Sequence, residues 1–179
     1  MIKYVAFLRA INVGGKNLIK MDELKKVFAL LGFKNVATHG QSGNVMFESS
    51  SADENILAKK IENLLHKNLS NDVLVFIRTF EQLKSIVEAD PFQKFKFEIP
   101  TKLYISFAKH KLKQKPKLPF LSSKKDVEII RIKDREIYCT TPEINGSYGF
   151  PNLFIEKEFG VKATTRNWNT LIKVYDLLQ

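Results

Sequence analysis

The chain has 179 residues, 44% hydrophobic and 27% charged, with a formal net charge of +10. That composition is ordinary for a globular protein, so disorder is not the default, and the length fits one large domain or two small ones. A single cysteine, Cys139, excludes an intramolecular disulfide and fits a reducing cytoplasm. The three histidines, His39, His66 and His110, show no metal-ligand spacing, and no apolar run is long enough for a signal segment or a membrane span.

Residues 3–10 form a nearly continuous apolar run and read as a buried strand. Met21, Leu24, Val27, Phe28 and Leu31 fall at helical spacing, with Asp22 and Glu23 suited to the positive end of the helix dipole and Gly32 as the stop. Residues 35–39 and 44–48 read as short strands joined by a turn at 40–43. Ser51 to Glu54 has the form of a capping box, and Leu57, Ile61, Leu64 and Leu65 follow on one helix face. Residues 73–78 are another apolar strand. The order β-α-β-β-α-β is that of the ferredoxin-like, split βαβ unit. Strands 4–8 and 73–77 are apolar on both faces, so the second face of this sheet is expected to be covered. The second half of the chain is the natural cover, and a shared cleft would follow.

Residues 79–88 read as a helix opened by a Thr79–Gln82 capping box and ended at Asp90-Pro91. Residues 102–108 are a strand and 109–117 a basic linker; 126–132 and 136–139 pair as a hairpin; 152–159 and 167–178 are helices. The fold class is therefore α+β: a ferredoxin-like lobe over residues 1–78, followed by a second, modified ferredoxin-like lobe over 79–179.

Two polar segments lie at opposite ends of the chain. Arg9, Asn12, Gly14, Gly15 and Lys16 follow the first strand and precede a helix, as phosphate-holding loops do. The spacing is not that of a nucleotide-binding P-loop, and Asn17 stands where a hydroxyl should hold magnesium. Thr164, Thr165, Arg166 and Asn167 precede the last helix, with Thr165 or Asn167 as its cap and Arg166 as a cation near a helix N-terminus. A third segment, Gln41-Ser42-Gly43-Asn44, offers donors from Ser42 and Asn44, and turn chemistry explains it equally well.

These three segments, residues 9–20, 41–45 and 163–170, resemble the signature segments of the domain-of-unknown-function 1697 family, and the resemblance runs over nearly the whole chain. It implies a small, soluble, mostly bacterial protein and no particular reaction.

Three functional readings follow from the residues. The first is an anion or nucleotide-phosphate site, with Arg9, Asn12, Gly14, Gly15 and Lys16 as one wall, Arg166 and Asn167 as the other, and Ser42 and Asn44 beside them. The second is nucleic-acid binding through Lys109, Lys111, Lys113, Lys115, Lys117, Lys124 and Lys125. The third is a structural or interaction module in which the polar segments cap and tie the fold. Trp168 shares a face with Leu171, Ile172 and Tyr175 and reads as core. No catalytic template is present, no general base can be named, and no cofactor or metal motif occurs.

Overall fold

The structure, a computed structural model, describes residues 1–12, 14, 18–68 and 73–179. The chain divides into two compact units: Met1–Ser85 with Val174–Gln179, and Ile86–Lys173. Both sheets are antiparallel, so the class is α+β.

The first unit is built on β1 (Ile2–Arg9), β2 (Lys34–His39), β3 (Asn44–Ser49) and β4 (Leu74–Thr79), in the order β2-β3-β1-β4. Helices α1 (Met21–Leu30) and α2 (Glu54–Asn68) connect them. Strand alternation sends Tyr4, Ala6 and Leu8 to one face, in register with Phe47 and Val45 on β3. Leu24, Val27 and Phe28 of α1 and Leu57, Ile61 and Leu65 of α2 share the core with them. An aromatic group centres this core: Phe47 lies 4.5 Å from Phe33 and 5.5 Å from Phe28 and Tyr4, measured between ring centroids. Burying each such ring contributes about 1.5–3 kcal/mol. Val5, Phe7, Met46 and Phe76 point the other way and are buried as well.

The ends of the helices depend on single side chains. Asp53, rather than Ser51, caps α2: its Oδ1 accepts from the amides of Asn55 and Ile56. The capping box read at 51–54 is therefore an aspartate cap, and Ser51 instead offers its carbonyl to the Tyr4 hydroxyl. The box at Thr79 and Gln82 is reciprocal, at 3.0 and 3.1 Å, and opens α3 (Phe80–Glu88). Near Val174–Gln179 the chain returns to the first unit: Lys3 Nζ donates to the carbonyls of Leu178 and Gln179, and Phe80 stacks on Tyr175.

The second unit has β5 (Thr101–Ala108), β6 (Phe120–Leu121), β7 (Glu128–Lys133), β8 (Glu136–Ile144), β9 (Ser147–Tyr148) and β10 (Ala163–Asn167). Its sheet runs β10-β5-β8-β7-β6, with β9 paired to β8. Taking β5, β7, β8 and β10 as first to fourth, the order is the last-first-third-second arrangement of the first sheet. Where the first unit has α1, this one has the basic segment and β6. Helix α4 (Pro151–Phe159) packs Ile155 against Ile129, Ile137, Cys139 and Ala163. It ends at Gly160 in the left-handed conformation, and Glu156 Oε1 takes the Ala163 amide as β10 begins.

Three differences from the sequence reading stand out. Strand β8 continues past Cys139 to Ile144, and Pro142 is tolerated because β7 pairing ends at Thr140. Strands β6 and β9 are two-residue additions. Residues 163–167 are not a lead-in to a helix but a full strand, paired with β5 from Ala163↔Ala108 to Asn167↔Tyr104. Helix α5 (Trp168–Leu178) starts directly after it. Trp168 is core, edge-on to Phe92 at 5.1 Å.

Candidate functional site

Arg9 closes β1, opposite Leu74, and is half-buried. The chain then turns sharply, with Ala10, Asn12 and Gly14 all at positive φ. Ile11 drops into the core while Asn12 organises the loop. The Asn12 side-chain amide donates to the carbonyls of Ile19 (3.1 Å) and Gln41 (3.0 Å), and its oxygen accepts from the Ile19 amide (2.9 Å). One side chain thus closes the loop between β1 and α1 and fastens it to the β2–β3 turn. Asparagine suits the task because it tolerates left-handed backbone and offers donors and an acceptor together.

The β2–β3 turn meets that loop from the other side. The Gly43 carbonyl accepts from the Leu8 amide at 2.8 Å, and Gly43 sits at φ +68. A Cβ there would lie 2.5 Å from Ile11 Cγ2 and 2.8 Å from Leu8 Cβ, so only glycine fits. Asn44, 1% exposed, donates from Nδ2 to the His39 carbonyl and closes the hairpin. Ser42 is exposed at the turn, as Gly14 is in the loop. Two of the three polar segments therefore meet at one end of the first sheet. Gly15 and Lys16 lie outside the described residues.

The third segment belongs to the second unit. Arg166 is buried in β10, where Nη1 donates to Thr164 Oγ1 and the Thr165 carbonyl, both at 2.9 Å. Burial pulls its pKa down to about 10, because the cation has lost its water. Thr165 shares a 2.7 Å hydroxyl hydrogen bond with Ser106 and donates to Asn152 Oδ1. Asn167 Oδ1 accepts from the Asn169 amide and caps α5.

Of the lysines in the basic segment, Lys113, Lys115, Lys117, Lys124 and Lys125 are exposed. Lys111 pairs with Asp134 at 2.7 Å and holds that carboxyl below its usual range, and Lys109 is half-buried, its amide donating to Lys162.

The groups available for chemistry are few. Cys139 is fully buried, and desolvation pushes its thiol pKa far above the usual range. Tyr148 donates to Glu143 Oε2 at 2.7 Å while the Lys102 ammonium lies 3.8 Å from its ring centre. Among the described residues no group of His, Cys, Asp and Glu could hold a metal, and no helix is long and apolar enough to cross a membrane. A pocket of about 190 Å³ in the first unit is lined in part by Lys3, Asn35, Ala37 and Glu48. It lies beside the start of β1, about 20 Å along the strand from Arg9. Periodicity gave no sign of Arg78, a fully buried arginine on β4 whose Nη1 donates to the Ile77 carbonyl.

Comparison with known proteins adds a family and a fold. The family model for "Protein of unknown function (DUF1697)" matches residues 1–138. The conserved bacterial protein SP0830 from Streptococcus pneumoniae has a similar structure, with a TM-score of 0.69 and 19% identity over 99% of both chains. At that identity the likeness is one of fold. No curated protein matches.

Proposed function

The chain belongs to the DUF1697 family of proteins of unknown function, and on that premise we propose that it binds a small, phosphate-like anion at the end of its first sheet. The observation that carries this reading is the Asn12 brace, which makes the β1–α1 loop and the β2–β3 turn a single surface. Arg9 ends the strand that leads into that surface, and Gly14 and Ser42 are exposed on its two loops. In this reading Arg9 and Lys16 neutralise the anion, the Gly14 and Gly15 amides and the Ser42 hydroxyl donate to it, and Asn12 and Asn44 hold the loops in place. Arg166 and Asn167 serve the strand-to-helix corner of the second unit. The proposed activity is binding, in a reducing, cytoplasmic setting that goes with the single buried thiol.

The test is thermal unfolding with inorganic phosphate, nucleotides and sugar phosphates, for the native chain, Lys16→Gln and Arg9→Gln. An anion at about a hundred times its dissociation constant adds roughly 2.7 kcal/mol, a rise of about 5–10 °C for a chain of this length. The reading expects that rise in the native chain and its loss in Lys16→Gln. If no compound raises the midpoint and Arg9→Gln simply melts earlier, the polar loops serve the fold alone.

A further inference from the structure

The segment between α3 and β5 presents aromatic rings to solvent for no reason the fold supplies. Phe95, Phe97 and Ile99 are 42%, 40% and 51% exposed, whereas Phe92, just before them, is buried against Trp168 and Tyr138. The segment is tied down at both ends. The Phe95 amide donates to the Phe92 carbonyl, the Thr101 hydroxyl to the Ile99 carbonyl, and the Glu143 amide to the Pro100 carbonyl. An anchored segment that still leaves two adjacent rings and an isoleucine partly in water offers a fixed surface to a partner.

The order of residues says what would cover it. Lys94-Phe95-Lys96-Phe97 interleaves exposed cations with exposed rings. The two rings are near-parallel, 9° between planes with centroids 6.2 Å apart. Flat π-faces beside cations match an unpaired nucleic-acid strand, whose bases stack and whose phosphates seek positive charge. The formal net charge of +10 favours encounter with such a strand, although Glu98 follows the rings directly. Ile99 is an apolar neighbour, but the lysines on either side of Phe95 set two cations at the rings, which suits a phosphate backbone better than an apolar protein surface.

The geometry points to Phe95 and Phe97, with Lys94 and Lys96, as a stacking platform for single-stranded nucleic acid. This surface is separate from the loops proposed to hold a small anion.

The experiment is fluorescence anisotropy of labelled oligothymidylate and oligouridylate at low and moderate salt, with the full chain. The platform predicts that Phe95→Ala/Phe97→Ala weakens binding about tenfold or more, since each stacked base is lost with its ring. Lys94→Gln/Lys96→Gln should weaken it and flatten its salt dependence, and Glu98→Gln should tighten it. Both rings are partly exposed, so the double variant should keep the native circular dichroism and lose only a few degrees of melting midpoint. Three outcomes would overturn the proposal. One is no binding at low salt. Another is binding that the Phe double variant retains while Lys124→Gln/Lys125→Gln loses it. The third is a concentration-dependent dimer of the native chain that the Phe double variant abolishes, which would make the surface a self-association site.

Discussion

Gly43→Ala tests whether the two loops of the first unit meet as described. The new methyl would meet Ile11 Cγ2 at 2.5 Å and Leu8 Cβ at 2.8 Å, both well inside van der Waals contact. Neither neighbour can withdraw easily, since Leu8 and Ile11 are each 1% exposed in the core. Overpacking of this kind costs about 1–3 kcal/mol. The left-handed backbone at φ +68 adds about 1–2 kcal/mol for any L side chain. Together these destabilise by about 2–5 kcal/mol, which lowers the melting midpoint by roughly 4–20 °C. Gly40→Ala is the control. Gly40 has φ +64 but nothing within 4 Å of a Cβ, so it carries the backbone cost alone. Urea unfolding of both variants, with Ile11→Ala combined with Gly43→Ala, separates the contributions. The combined change should cost less than the sum of its parts, because removing Cγ2 relieves the closest clash. Equal losses for Gly40→Ala and Gly43→Ala, within about 0.5 kcal/mol, would refute the packing argument.

Asn12→Ala should destabilise by about 1–3 kcal/mol through loss of its three hydrogen bonds, and hydrogen exchange at the Ile19 amide should accelerate; protection as in the native chain would contradict the brace. Cys139 should resist an aromatic disulfide reagent until the chain unfolds, so labelling within seconds under native conditions would contradict its burial. Burial raises Tyr4 and Tyr104 above the usual phenol value of 10.0, and the hydrogen bond to Glu143 raises Tyr148. Because the folded state keeps these protons longer, their contribution is fully present below that value and is lost as pH climbs through the folded values. Buried Arg166 works the other way, gaining stability between about 10 and its ordinary 12.5. The two effects oppose each other in the same window, so the test is a difference: the urea midpoint of Tyr104→Phe should lose less, relative to the native chain, as pH passes the phenol value, and identical pH profiles for the two would contradict the assignment.

The first unit was readable because each element carried its own signal. The apolar run of β1, the helical spacing from Met21 to Leu31 and the reciprocal Thr79–Gln82 pair each depend on residues close in sequence. β10 lacked one: Ala-Thr-Thr-Arg-Asn shows no apolar alternation, and its pairing with β5 spans more than fifty residues. The β-branched pair Thr164 and Thr165 was the available hint. The polar segments were visible as compositions, but their tasks were not. Asn12 can be seen as a donor in the sequence, whereas its acceptor at Gln41 depends on how two loops are brought together. Arg166 could be seen as a cation, yet its burial follows from the β10–β5 pairing that was missed. The Asp53 cap was obscured by a nearby Ser–Glu spacing that imitates a different motif.

The first unit takes in residues from both ends of the chain, Met1–Ser85 and Val174–Gln179. During synthesis, the ribosome must therefore deliver all of Ile86–Lys173 before Lys3 can meet the carbonyls of Leu178 and Gln179, or Phe80 the ring of Tyr175. The unit that emerges first is the one completed last, against the usual order in which domains mature from the N-terminus. A nascent chain stalled before Val174 would hold a finished set of strands for its first sheet and lack the segment that closes it.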